Sequence, residues 1–266
     1  MKKSLLKILT LLAALYIFLC AAMYLFQEQF IFFPQKLEKD FHFSFNQNFE
    51  EVYLTTEDKT LLHGILFKSD CSKGLLFYLH GNAGSLYSWG GTAHAYAGLQ
   101  YDVFMPDYRG FGKSEGSVSR QDELFQDMQI AYNEMKKRYD ERNIIVLGYS
   151  IGTGPAAHIA STNNPKMLIL QAPYFSLTDM MKHRYPFLPA FILKYPFKTN
   201  EYIQRCRMPV VIFHGTDDEV IPYESSVKLK EYFKQGDTLI TLNGQLHNNM
   251  TNNPEYKIAI KRLLFQ

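Results

Sequence analysis

Ser150 stands in Gly148-Tyr149-Ser150-Ile151-Gly152, between a short apolar run, Asn143 to Leu147, and an alanine-rich stretch, Thr153 to Ala160. Strand, G-x-S-x-G, helix is the context of a nucleophile elbow: a serine on a strained turn, flanked by glycines that leave the backbone room. A helix beginning behind such a turn favours the negative charge that develops during acyl transfer. A serine hydroxyl is a weak nucleophile at neutral pH and needs a base, and histidine is suited because its unperturbed pKa lies near ~6.5. An acid must hold that histidine in the correct tautomer. With a strand-borne elbow the chain order is serine, then acid, then histidine.

The sequence offers that order. His214-Gly215-Thr216-Asp217-Asp218-Glu219-Val220 follows the apolar run Pro209 to Phe213, and both Asp217 and Asp218 could serve; spacing does not separate them. Gly244-Gln245-Leu246-His247-Asn248 follows the last strand pattern, Thr238 to Leu242. Of eight histidines, His247 alone has the right order and loop, and a Gly/Asn loop is expected to leave it exposed and mobile. His214 and His80 are expected to shape the strand ends they occupy. An oxyanion hole needs two backbone N–H groups. Ile151, after the serine, supplies one, and Asn82 in His80-Gly81-Asn82-Ala83-Gly84 the other.

The elements that must carry these residues are readable from periodicity. Val52 to Thr56 and Leu61 to Phe67, around a short polar loop, form a hairpin pattern. Gly74 to Leu79, Tyr101 to Met105, Asn143 to Leu147, Met167 to Leu170, Pro209 to Phe213 and Thr238 to Leu242 are strand-like. Gln121 to Tyr139 has helical spacing, with Leu124, Phe125, Met128, Ala131, Tyr132 and Met135 on one face. Helices are also expected over Ser225 to Phe233 and Ala259 to Phe265. Strands alternating with helices imply a mostly parallel sheet covered on both faces, with ligands beyond the strands' carboxyl ends. Each chemistry-bearing loop lies at such an end. Tyr174 to Met208, rich in Phe, Tyr, Leu, Met and Pro, breaks the alternation and is expected to form a small helical cap over the sheet edge.

At the N-terminus, Lys2, Lys3 and Lys7 precede Ile8 to Gln27, 20 residues without a charge. At about 1.5 Å per residue this reaches across a bilayer core. A cleaved signal peptide or a lipoprotein signal ending at Cys20 would use a shorter apolar stretch, and Leu19 is large for a lipoprotein signal, so an uncleaved single-pass anchor is favoured. The lysine bias points to a catalytic domain on the non-cytoplasmic side. The aromatic run Phe30 to Pro34 fits either the membrane interface or the domain's core. The domain layout is thus an anchor over 1–27 and a catalytic domain over 28–266, with the cap at about 174–208.

Composition bounds the rest. With 266 residues and 47% hydrophobic, the chain can form one large α/β domain. A net charge of +2 gives nucleic-acid binding no electrostatic support. Cys20, Cys71 and Cys206 have no metal or redox spacing, so no metal and no cofactor are expected.

From these stretches, together with Asp107-Tyr108-Arg109-Gly110-Phe111-Gly112-Lys113-Ser114 and Phe32-Phe33-Pro34, the chain resembles the α/β-hydrolase superfamily. It is particularly similar to its single-pass, membrane-anchored serine hydrolases with small caps. The resemblance runs from about residue 28 to the end. It implies the α/β-hydrolase fold and an acyl hydrolase acting on esters or thioesters. It also assigns the acid: in the pattern H-G-x-x-D-x-x-[VI] the fifth position is Asp218. Gln245-Leu246 before His247 departs from the small residues common in relatives. Some relatives cleave palmitoyl thioesters from proteins; others act on diverse substrates. The expected partners are a small-molecule or lipid-like acyl substrate and the membrane. The competing readings are a serine peptidase of the same fold and a silent membrane-tethered binding protein, which would be expected to lack a triad group.

Overall fold

The computed structural model describes residues 2–265. Its centre is an eight-stranded sheet of β1 (Phe49–Thr55), β2 (Leu61–Phe67), β3 (Leu75–Leu79), β4 (Asp102–Pro106), β5 (Ile144–Tyr149), β6 (Met167–Gln171), β7 (Val210–Gly215) and β8 (Thr238–Leu242). The spatial order is β8-β7-β6-β5-β3-β4-β2-β1. β1 and β2 pair antiparallel, as do β2 and β4, and every other pairing is parallel. This is the mostly parallel sheet of the α/β-hydrolase fold. Strands β3, β4, β5 and β7 are buried along their whole length, which is why they read as continuous apolar runs. The edge strand β1 alternates instead, with Val52 and Leu54 inward and Tyr53 outward.

One apolar core lies on each face of the sheet. Helix α1 (Lys2–Phe26) stands apart from both, and α2 (Gln121–Lys136) buries the apolar face expected of it. Helix α3 (Thr153–Thr162) packs closely through Ala156, Ala157 and Ala160. Three helices differ from expectation: α2 ends at Lys136, three residues before Tyr139. That over Ser225 to Phe233 is shorter, α5 (Glu224–Lys230), after α4 (Leu177–Arg184) in the cap. The last, α6 (Pro254–Leu264), begins five residues before Ala259. Its first turn has no apolar stripe, but Pro254 pre-sets the backbone and the Asn253 side chain accepts from the Glu255 and Tyr256 N–H groups.

Tyr174 to Met208 divides into two parts. Helix α4 and a turn at Ala190–Ile192 form the lid-like part. The following short helix, Thr199–Ile203, joins the layer beneath: Tyr202 packs edge-on against Phe125 and His158 at 5.8 and 5.3 Å. Phe30 to Pro34 divides too, with Phe32 buried edge-on against Tyr195 while Phe30 and Phe33 stay exposed. Most apolar side chains of α1 are exposed, Met23 near its end being half-buried, and the helix is long and apolar enough to cross a membrane.

The strand order reverses between β3 and β5, and their carboxyl ends carry the His80–Gly84 loop and the Ser150 turn. That is the switch point at which such sheets bind ligands.

Candidate active site

Ser150 has φ +54°, in the left-handed region that a residue with a Cβ seldom occupies. The flanking glycines are a steric necessity. A Cβ on Gly148 would stand 2.5 Å from the Gly152 carbonyl oxygen and 2.6 Å from the Ala156 Cβ. A Cβ on Gly152 would stand 2.2 Å from the Leu79 carbonyl oxygen and 2.6 Å from that of His80. The turn therefore sits directly on the end of β3. The Thr153 hydroxyl donates to the Ser150 carbonyl (2.7 Å), and α3 begins there.

Ser150, His247 and Asp218 meet in one line. Ser150 Oγ lies 3.0 Å from His247 Nε2, and His247 Nδ1 lies 2.7 Å from Asp218 Oδ2. The other Asp218 oxygen, Oδ1, accepts from the Val220 and Ile221 N–H groups at 2.9 and 2.8 Å. Burial pushes the Asp218 pKa upward. Hydrogen bonds from His214, His247 and the Ile221 N–H outweigh it and hold the carboxyl well below the usual carboxylate range. Asp217, which spacing could not separate from Asp218, points elsewhere and accepts from the Thr216 hydroxyl at the surface.

The expectation of an exposed, mobile His247 is overturned, since only 5% of the residue is accessible. Its N–H donates to Glu219 (3.2 Å), and its carbonyl accepts from the Tyr149 hydroxyl (2.7 Å). Gly215 lets the loop close: a Cβ there would fall 2.0 Å from the Gln245 carbonyl oxygen, and the Asp217 N–H donates to that oxygen. An imidazole held this way needs no search before accepting a proton.

His214 was expected only to shape its strand end, yet its Nε2 lies 3.2 Å from Asp218 Oδ2. Its Nδ1 lies 2.6 Å from Ser226 Oγ and its Nε2 3.0 Å from the Ile221 carbonyl oxygen. The Ile221 carbonyl can only accept, so Nε2 carries a proton. His80 does shape its loop, with Nδ1 2.7 Å from the Gly81 carbonyl oxygen.

Asn82 and Ile151 flank Ser150 in the lining of one cavity. The Asn82 main-chain N–H has no protein acceptor among the described residues. Its carbonyl accepts from the Phe33 N–H (2.8 Å), and its side chain donates to the Ile31 carbonyl (3.1 Å). Phe33–Pro34 and Ala83–Gly84 form a small parallel ladder at the same place. The peptide following α1 thus holds the loop that sequence reading chose for oxyanion binding. The cavity, about 290 Å³, is lined chiefly by apolar side chains, among them Ile151, Leu177, Met180, Leu188 and Ile221. Cys206, outside the cavity and against the Tyr202 carbonyl, is no second nucleophile: burial pushes its thiol up to about 12.

This arrangement can accept a proton from Ser150, keep the resulting imidazolium charged against Asp218, and present N–H groups to a developing oxyanion. The comparisons agree with the fold that carries it. A family model described as serine aminopeptidase S33 matches residues 70–200. Human alpha/beta hydrolase domain-containing protein 17B is 30% identical over 201 residues, covering 73% of this chain and 67% of the relative. Its Xenopus laevis counterpart is 29% identical over 224 residues, covering 81% and 75%. Among solved structures, the Pyrococcus furiosus esterase Pf2001 superposes with a TM-score of 0.71 at 20% identity, covering 88% of this chain and 97% of that one. Est1E from Butyrivibrio proteoclasticus gives 0.67 at 16% identity, covering 81% and 97%. The chain belongs to the α/β-hydrolase superfamily. Within that superfamily it is similar to the domain-containing 17B proteins along most of its length.

Proposed function

We propose that the chain is a serine hydrolase that cleaves carboxylic esters or thioesters through an acyl-enzyme on Ser150. The observation that carries this reading is the continuous line Ser150 Oγ, His247 Nε2, His247 Nδ1, Asp218 Oδ2 at the edge of an apolar cavity. Ser150 Oγ attacks the acyl carbonyl carbon as its proton passes to His247 Nε2. The carbonyl oxygen becomes an oxyanion, stabilised by the Asn82 and Ile151 N–H groups. His247 then returns the proton to the leaving alcohol or thiol as the bond to it breaks. Water repeats the sequence, and the acid product leaves with Ser150 restored. Asp218 stays ionised throughout.

A peptidase is the second reading, because the matching family model carries that description. An aminopeptidase must bind a free ammonium group. Among the described residues the cavity lining holds no Asp or Glu, and its one charged side chain is Arg184. That lining favours an acyl chain. A silent binding protein would have no use for an intact serine–histidine–carboxylate line.

Helix α1 is read as an uncleaved anchor, with the catalytic domain on the non-cytoplasmic side, from the lysines before it and its exposed apolar surface. A fluorophosphonate probe should label the wild type and not Ser150→Ala; equal labelling would remove the nucleophile assignment. Intact mass would refute the anchor if the mature chain began near Met23. Resistance of the domain to protease added to intact cells would refute the orientation.

A further inference from the structure

The cavity beside Ser150 is not enclosed by the catalytic domain alone. Met23, Gln27, Phe30 and Ile31, from α1 and the turn that follows it, line it as well. Gln27 and Phe32 mark where the N-terminal segment stops being surface: both are buried. A buried amide is costly unless its hydrogen bonds are met, and here they are. Gln27 Nε2 donates to the Ile192 carbonyl (3.0 Å), and Gln27 Oε1 accepts from the Lys194 N–H (2.8 Å). Glu28 accepts from the Tyr195 hydroxyl (3.1 Å) and pairs with Lys194 (3.0 Å). Further back, the Tyr16 hydroxyl donates to the Phe187 carbonyl (2.8 Å). The cap segment from Phe187 to Tyr195 therefore follows the helix from Gln27 back to Tyr16, roughly 16 Å at the helical rise. A tether requires no such docking.

We propose that the last turns of α1 form one wall of the acyl-binding pocket, so that the N-terminal segment selects the substrate by chain length. The inference rests on the acyl-hydrolase reading and assigns its substrates to medium- and long-chain acyl groups. Ile31 is tied to Asn82 at the reacting end of the cavity. Met23 lies eight residues earlier, roughly 12 Å along the helix, because Gln27 keeps helical dihedrals between them. An acyl chain bound to Ser150 and running along this wall meets Met23 beyond its first methylenes. Across the cavity stand Met180 and Leu188 of the cap. Methionines on a wall adapt to chains of slightly different shape.

The test uses the full chain in detergent, with p-nitrophenyl butyrate and decanoate below their micelle-forming concentrations. In Met23→Trp the ratio of kcat/KM for decanoate over butyrate should fall about tenfold, which corresponds to denying burial to about two methylenes. Leu11→Trp, on the same helix but away from the cavity, should keep the wild-type ratio. If Met23→Trp fails to fold, seen as loss of both butyrate turnover and fluorophosphonate labelling, Met23→Ala decides: its optimum should move to longer esters. A wild-type chain-length profile in the folded Met23 variant overturns the wall. A wild type that hydrolyses neither ester and takes up no fluorophosphonate removes the hydrolase reading itself, and the wall with it.

Discussion

His214 Nε2 lies 3.2 Å from the Asp218 Oδ2 atom that also stands 2.7 Å from His247 Nδ1, so one carboxylate oxygen is shared by two imidazoles. With two backbone N–H groups on its other oxygen, Asp218 is kept ionised in a buried place. Its depressed pKa contributes stability that is present above the unfolded value near ~3.9 and is lost as pH falls below it toward the folded value. The thermal stability difference between wild type and Asp218→Asn should therefore be flat above about pH 5 and shrink below about pH 4. His214→Phe, which removes one of the hydrogen bonds that depress the pKa, should reduce the acid-dependent part without abolishing it. A stability difference that stays constant down to about pH 3 would contradict this account.

Asp218→Asn should lower kcat by on the order of 10⁴, because the imidazole loses its orienting acceptor. Asp217→Asn should change it by less than about threefold, in keeping with a surface aspartate bonded to Thr216. Steady-state kinetics on one ester compares the two directly, and a reversed order would move the acid to Asp217.

Gly152→Ala should be severely destabilising. The added methyl would meet two backbone oxygens of the β3 end, which cannot rotate away. A loss of several kcal/mol is expected, or roughly 10 °C in the unfolding midpoint for a chain this long. Gly236→Ala offers a contrast: a Cβ there meets open space, so only its positive φ is strained. Thermal denaturation of both variants checks the ranking.

His158 stacks on Phe125 at a 3.9 Å centroid distance, and burial lowers its pKa to about 4. The unfolded chain takes up that proton near the ordinary value of ~6.5 while the folded chain does not, so this residue costs stability increasingly as pH falls from about 6.5 to 4. His158→Phe should flatten stability across that window, a different window from that of Asp218. Unfolding midpoints measured at half-unit pH steps would reveal it; an unaltered slope would assign the loss to other groups.

Tyr149→Phe removes the hydroxyl that grips the His247 carbonyl. A stability loss near ~1 kcal/mol is expected from the hydrogen bond. A fall in kcat of about tenfold to a hundredfold should accompany it, since a base displaced by ~1 Å loses alignment. Fluorophosphonate labelling should slow but persist. Labelling at the wild-type rate would show that the loop holds His247 without Tyr149.

The parts of the site that were legible in the sequence are those whose signal is local. Ser150 announces itself through neighbours two residues away, and the sheet is visible because its central strands are buried enough to be apolar throughout while the edge strand β1 alternates. His247 was found by order along the chain, but its burial was not, because closure depends on Gly215 meeting Gln245 across two loops. Asp217 and Asp218 are adjacent and identical in type, so spacing could not separate them; the family pattern pointed to Asp218, and the direction each side chain takes separates them in the structure. The contacts of His214 with Asp218 and of Gln27 with Ile192 carry no periodic signature; the second joins residues 165 positions apart. The start of α6 was missed because a proline and an asparagine cap, rather than an apolar stripe, define its first turn.

The ladder between Phe33–Pro34 and Ala83–Gly84 bears on what cutting the chain behind α1 would do. A protease acting between Phe26 and Phe32 would free the globular part from its helix. It would also separate Met23 from the cavity and loosen the strand that accompanies Asn82. Loss of the helix would thus leave a globular part with an opened cavity and a less supported loop beside Ser150.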